Sequence, residues 1–350
     1  MNYARKNITA MAGYTPGEQP QDRRYIKLNT NENPYPPSPR LVKALHEFDA
    51  ARLRLYPDPL CTELRAAAAR LTGLDPEWIL CGNGSDDLLT IAVRTFVDQG
   101  GTLAHLEPSY SLYPVLAGLQ GARSVAVPLV GDGFEMPGDA ARQAAGCSLF
   151  LVARPNAPTG NAFPLTAMHT LCREFPGVVW IDEAYTDFCP DNCLDFLKQY
   201  PNVIVSRTFS KSHSLAGLRL GFAFARPELT EEMYKVKDSY NVSMLTQGLG
   251  KAALEDQEYL RDCADKICRT RDWTVRELKM LGCRPVPSAA NFLFVRTPQP
   301  AAELFRSLRE RGILVRYFPG RHTGDYLRIT VGTDEQMREL ISVLGTILKG

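Results

Sequence analysis

From Trp78 to about Ala225, short β-rich apolar runs alternate with segments whose apolar residues recur at the helical period. The runs at 103–106, 124–127, 149–153, 178–181, 203–206 and 221–225 predict strands. Leu88, Leu89, Ala92, Val93, Phe96 and Val97 mark a helix with one apolar face, opened by Gly82-Asn83-Gly84-Ser85. Strands alternating with helices in this way indicate βαβ units around a mostly parallel sheet. After Arg226 the spacing predicts long helices over 228–237, 245–254 and 258–281. A second unit follows, with strands at 292–296, 313–316 and 326–331 and helices at 301–311 and 335–348. The first ~75 residues are Pro-rich around Asn33-Pro34-Tyr35-Pro36-Pro37-Ser38-Pro39 and read as an extended arm with one helix, Pro39 to about Phe48. The expected division is an arm with part of the small domain at 1–50, a large domain at 51–240, linking helices at 241–281 and a small α+β domain at 282–350.

Composition narrows the function. The 350 residues suggest two domains, and 40 Lys and Arg against 39 Asp and Glu give a formal charge of +1, which argues against a nucleic-acid protein relying on a basic face. No apolar run approaches the ~20 residues that span a bilayer. No apolar signal core follows the first six residues, so a cytoplasmic protein without a membrane partner is expected. The nine cysteines include no C-x-x-C pair, which fits reduced thiols better than disulfides or a zinc site, and no metal is expected.

Chemistry is concentrated at the ends of the predicted strands. Lys211, in Thr208-Phe209-Ser210-Lys211, follows a buried strand, where desolvation favours the neutral amine that attacks a carbonyl and makes a Schiff base. Ser210 and Arg219 are suitable phosphate donors. An exposed loop carrying both cations is the other reading of this segment. Val178-Val179-Trp180-Ile181-Asp182 is an apolar strand ending in a carboxylate. A protonated pyridine nitrogen is one partner for such a group, and capping of the next helix is the alternative. Gly82-Asn83-Gly84-Ser85-Asp86 opens a helix whose free N–H groups form a second phosphate handle. Such turns are also common for reasons of geometry alone, and this one lacks the G-x-G-x-x-G spacing of a dinucleotide site. Together these features describe pyridoxal 5′-phosphate.

Seven motifs occur in order: Asn31-Glu32-Asn33-Pro34, Tyr56-Pro57-Asp58-Pro59, Gly82-Asn83-Gly84-Ser85-Asp86, Pro158-Thr159-Gly160, Asp182-Glu183-Ala184-Tyr185, Ser210-Lys211 and Leu327-Arg328-Ile329-Thr330-Val331-Gly332. In this the chain resembles the histidinol-phosphate aminotransferases over essentially its whole length. The resemblance implies the α/β fold of the PLP-dependent aminotransferases (fold type I), with a large domain on a mostly parallel sheet and a small α+β domain. It also implies a homodimer with active sites at the subunit interface. By that resemblance Lys211 forms the Schiff base, Asp182 faces the ring nitrogen, Tyr185 faces the ring hydroxyl and Tyr110 stacks on the ring. Ser85, Asp86, Ser210, Arg219 and Tyr56 of the second subunit hold the phosphate. Many relatives read Asn-Asn-Pro-Thr-Gly where this chain has Asn156-Ala157-Pro158-Thr159-Gly160, so either Asn156 reaches the ring or that contact is missing.

In the predicted strand 326–331, Leu327, Ile329 and Val331 share one face, leaving Arg328 on the other with Tyr326 and Thr330, a side that can face a cleft. The resemblance implies that Arg328, Arg316 and Tyr14 bind the substrate. A guanidinium fork suits both the phosphate of histidinol phosphate and the carboxylate of glutamate or 2-oxoglutarate. Ordinary solvated strand arginines are the alternative. The expected reaction is amino transfer from L-histidinol phosphate to 2-oxoglutarate in histidine biosynthesis. A threonine-phosphate decarboxylase-like lyase, a broad aromatic aminotransferase and a PLP-binding regulatory protein are the rivals. His213 and His322 are expected to be bystanders.

Overall fold

The computed structural model describes residues 3–22 and 24–349; Met1, Asn2, Arg23 and Gly350 lie outside the described residues. In chain order the strands are β1 (Ile26–Lys27), β2 (Ile79–Gly82), β3 (Thr102–Glu107), β4 (Arg123–Pro128), β5 (Leu149–Ala153), β6 (Val178–Asp182), β7 (Val203–Thr208), β8 (Gly221–Ala225), β9 (Arg284–Pro285), β10 (Phe292–Arg296), β11 (Ile313–Leu314), β12 (Arg316–Tyr317) and β13 (Tyr326–Thr330). Strands β2 to β8 form a seven-stranded sheet in the order β2-β8-β7-β6-β5-β3-β4. The run from β4 to β7 pairs in parallel, and only β8 opposes its neighbours.

Alternation along each strand divides its side chains between two cores. Val179, Ile181, Val203 and Val205 pack with the helices Thr62–Thr72 and Leu165–Glu174. Trp180, Ile204, Leu149 and Leu151 pack with Ser85–Phe96, Leu112–Gln120 and Pro227–Val236 on the other face. Cover on both faces is the reason the central strands read as continuous apolar runs.

The first ~75 residues depart from expectation. Besides Pro39–His46, they contain the helices Lys6–Ala10 and Thr62–Thr72. The second has little contrast between apolar and polar faces because four alanines, Ala66 to Ala69, fill its middle. Alanine is nevertheless the best helix former, Leu64, Ala67 and Ala68 supply a buried stripe, and Gly73 closes the helix in the left-handed conformation at φ 68°.

The C-terminal part holds an antiparallel four-stranded sheet, β12-β13-β10-β9, beside a two-stranded parallel pair, β1 and β11. The expected strand 313–316 is thus two strands with different partners. Val315, buried in the small core between them, marks the break. Helices Ala301–Glu310, Asp334–Lys349 and the end of Gln257–Met280 complete that core.

The parallel strands end at one edge, and β8, running the other way, begins there at Gly221. A Cβ on Gly221 would lie 3.0 Å from both Gly84 C and Ser85 N and 3.1 Å from Arg207 O. These are backbone atoms that cannot rotate aside. Gly221→Ala is therefore expected to cost about 1–3 kcal/mol, read as a lower urea midpoint. Gly138→Ala, whose Cβ meets nothing within 4 Å, is the control and should stay within about 0.5 kcal/mol of the parent. Equal midpoints for the two variants would show that the approach at Gly221 is not tight.

Candidate active site

Ligands in open α/β sheets bind beyond the carboxyl ends of the strands, where the strand order reverses. Here that point lies between β3, which continues to β4 on one side, and β5, which leads to β6 and β7 on the other. Residues following β2, β3, β5, β6 and β7, with Arg219 leading into β8, surround a cavity of about 530 Å3 at this edge. Every expected site residue lines it except Asn156 and Tyr56. Neither His213 nor His322 does.

Asp182 closes β6 and is 5% exposed. Its register partner on β7 is Ser206, whose hydroxyl donates to Asp182 Oδ1 at 3.3 Å while accepting from Trp180 Nε1 at 3.0 Å. Tyr113, on helix Leu112–Gln120, donates to Asp182 Oδ2 at 3.3 Å. Burial first, and then the charge of Asp86, push the Asp182 carboxyl up to about 6. A cation beside it would oppose both effects.

Across the cavity, Gly84 (φ 89°) precedes helix Ser85–Phe96 with no side-chain cap, so its first N–H groups face the crevice. Arg219 Nη1 donates to Ser210 Oγ at 3.2 Å, and its Nη2 lies 3.5 Å from Asp86 Oδ2. Tyr110 donates to Asp86 Oδ1 at 3.2 Å and meets Tyr14 edge-on at 5.9 Å. Backbone N–H groups, a hydroxyl and a guanidinium together form a donor set suited to a phosphate, with the Asp86 carboxylate aligning Arg219 and Tyr110.

Lys211 Nζ donates to Thr30 O at 3.4 Å and lies 5.6 Å from the Tyr185 ring centroid. The Tyr185 hydroxyl accepts from Asn31 Nδ2 at 2.9 Å. Neither this contact nor those of Tyr113 and Ser206 with Asp182 is visible to sequence reasoning. The only signal was the position of Asn31 at the head of a recognised motif.

Asn156 lies outside the cavity, and Tyr56, expected to serve the second subunit's site, does not line this one. The Asn156 amide is fully buried and occupied: Nδ2 donates to Pro108 O at 2.9 Å and to Thr159 Oγ1 at 2.7 Å, and Oδ1 accepts from Ser109 Oγ at 2.7 Å. It braces the turn after β5 and has no donor left for a ring, so the expected cofactor contact is corrected to a structural one. Ala157 faces the cavity in its place. Tyr56 is 78% exposed on the surface, stacked on Tyr240 at 4.5 Å.

Arg316 and Arg328 are direct register partners on β12 and β13. Arg316 donates to Thr15 O at 2.9 Å and to Pro16 O at 3.1 Å. Arg328 donates from Nη2 to Asn29 O at 2.9 Å, but its Nε is buried without a partner. Burial foremost, with Arg316 adding repulsion, lowers the Arg328 pKa. Like charges opposite one another on neighbouring strands are unfavourable, and an anion between them reverses the sign of the interaction.

The chain matches the family "aminotransferase class I and II" over residues 23–344. It is 44% identical over 349 residues to the histidinol-phosphate aminotransferase of Syntrophotalea carbinolica, covering 99% of this chain and 100% of that protein. Identity to the Synechocystis sp. histidinol-phosphate aminotransferase is 46% over 347 residues, covering 99% and 98%. Among solved structures, histidinol-phosphate aminotransferase from Sinorhizobium meliloti, in complex with pyridoxal 5′-phosphate, superposes with a TM-score of 0.90 at 27% identity, covering 100% of this chain and 98% of that one. Aspartate aminotransferase from Thermus thermophilus with maleate shares the fold, with a TM-score of 0.83 at 20% identity. The α/β fold, fold type I, is the one expected, and the chain belongs to the class I and II aminotransferases.

Proposed function

We propose that this chain is a histidinol-phosphate aminotransferase that uses pyridoxal 5′-phosphate to move the amino group of L-histidinol phosphate to 2-oxoglutarate, giving imidazole-acetol phosphate and L-glutamate. The curated relatives above carry that activity in their names. The observation that carries the reading here is the facing pair Arg316 and Arg328 in the wall of the same cavity as Lys211 and Asp182. Histidinol phosphate has a phosphorylated methyl group where glutamate has its α-carboxylate, and one guanidinium pair suits both anions.

The cavity fits the cofactor. Asp182, a buried carboxyl raised to about 6, calls for a cation, and the donors of Ser85, Asp86, Ser210 and Arg219 suit a phosphate. When bound, pyridoxal 5′-phosphate supplies a carbon that takes up an amine and a protonated ring that accepts electrons from the bond broken at the substrate α-carbon. Asp182 would keep the proton on the ring nitrogen. Tyr185 would donate to the ring oxygen, and Tyr110 would hold the ring. Lys211 would hold the cofactor through Nζ, and its free amine would remove and return the proton at the substrate α-carbon. Tyr14 and the arginines position the substrate.

The reading extends to a homodimer, since Tyr56 faces outward beside exposed Leu53, Leu55 and Leu60 rather than toward this chain's own cavity. Nine free cysteines, seven of them buried, support a reducing compartment such as the cytoplasm. No helix among the described residues is long and apolar enough to cross a membrane.

Incubating the purified protein with histidinol phosphate and 2-oxoglutarate is expected to yield glutamate in preference to phenylalanine as donor, with no release of carbon dioxide from threonine phosphate. Lys211→Ala should abolish turnover, and borohydride reduction with peptide mapping should find the cofactor on Lys211. Cofactor on another lysine overturns the assignment.

Arg328→Gln is expected to lower kcat/KM for histidinol phosphate roughly ten- to hundredfold, since a charge-assisted hydrogen bond contributes about 1.5–3 kcal/mol. Arg316→Gln should cost less, because its donors already hold the backbone at Thr15 and Pro16. Histidinol, lacking the phosphate, should change little in either variant that still binds cofactor. An equal decline for both substrates would assign these arginines to the fold.

Mixing inactive Lys211→Ala chains with Tyr56→Phe chains, where the latter are measurably impaired, should recover activity in heterodimers that retain one intact site. No recovery after demonstrated subunit exchange would count against a shared site.

A further inference from the structure

Asn31 is 1% exposed and adopts a left-handed conformation, φ 56°, which asparagine tolerates better than most residues. Three hydrogen bonds fix it to the small sheet and its approach. Its backbone N–H donates to Thr330 Oγ1 at 2.9 Å, the Thr330 hydroxyl donates to Asn31 Oδ1 at 3.1 Å, and Asn291 Nδ2 donates to Asn31 O at 3.0 Å. With Oδ1 held by Thr330, the amide nitrogen is directed at Tyr185, and Nδ2 donates to its hydroxyl at 2.9 Å. Tyr185 is itself buried and braced edge-on by Phe292 at 5.0 Å.

A phenol oxygen that accepts from Asn31 keeps its own proton to donate elsewhere, and accepting one hydrogen bond strengthens the one it gives. On the neighbouring wall, Ala157 has no donor and the amide of Asn156 is occupied within its turn. We propose that Asn31 is a positioning residue that, through the Tyr185 hydroxyl, supplies the polarisation of the cofactor's ring oxygen that Ala157 cannot. This rests on the reading of Lys211 and Tyr185 given above. Because Asn31 is anchored to Thr330 and Asn291, the small sheet sets how strongly Tyr185 donates.

The effect has a sign. Donation to the ring oxygen stabilises its anionic form and lowers the pH at which the lysine-bound cofactor gives up its proton. Loss of the Asn31 donor weakens that donation, so the midpoint rises. A carboxylate at position 31 goes further, because it accepts the Tyr185 proton and draws it away from the cofactor.

The test is a pH titration of the cofactor absorption band in the holoenzyme without substrate. Asn31→Ala, Asn31→Asp and Tyr185→Phe should each raise the midpoint, the first by about 0.5–1 pH unit, the size expected of one neutral hydrogen bond. Asn31→Ala in the Tyr185→Phe background should add nothing. Asn31→Asp keeps the side-chain shape and its tolerance of positive φ, so it carries the test if the alanine variant does not fold. Unchanged midpoints in the folded Asn31 variants, with Tyr185→Phe shifted, would overturn the role of Asn31 and leave that of Tyr185 standing. An unshifted Tyr185→Phe would remove both. Additive shifts in the double variant would show that Asn31 acts independently of Tyr185 and would likewise overturn the proposal.

Discussion

A carboxylate at the buried end of a central strand constrains everything around it. Asp182 lies where desolvation opposes its charge, and the sheet answers with Ser206 in register on β7 and with Tyr113 from the helix after β3. Ser206 is in turn held by Trp180, two residues before Asp182 on the same face of β6. The register of two strands and the placement of one helix are thus tied to one acidic group. Buried polar groups with satisfied partners make such an arrangement specific, and a slip of one residue would send Asp182 to the opposite core.

The remaining site residues reach the cavity from the other unit. Arg316 and Arg328 project from the small antiparallel sheet, yet their donors also hold the N-terminal segment through Thr15, Pro16 and Asn29. Tyr14 reaches the cavity beside the carbonyls that Arg316 grips. This side of the cavity is therefore assembled from the first thirty residues and the last forty. The opposite side, which carries Asp182 and Lys211, comes from the strand ends between them.

Legibility in the sequence followed the strength of the physical signal. Strands β5, β6 and β7 carry long apolar runs because both faces are covered, and the residues at their ends, Asp182 and Lys211, stand out against that background. The helix Thr62–Thr72 did not stand out, since alanines blur the contrast between its faces. Two-residue strands such as β1 and β12 are too short for alternation to register, which also concealed the break at Val315. Side-chain direction within a turn is invisible to spacing, so Asn156 and Ala157 could not be told apart as cavity residues. The hydroxyl of Tyr113 was hidden for a related reason, because an aromatic on an apolar helix face reads as core.

The pairing of β1 with β11 joins Ile26 to Ile313. Synthesis proceeds at about 5–20 residues per second, so the interval between the emergence of these two segments is on the order of a quarter of a minute to a minute. The central sheet can be complete within that time, whereas the backbone of Ile26 and Leu28 has no partner until Gly312 and Leu314 are made. Ile26 and Leu28 wait through this interval for the small core to which both belong. Loop closure over so long a separation favours a slow final step.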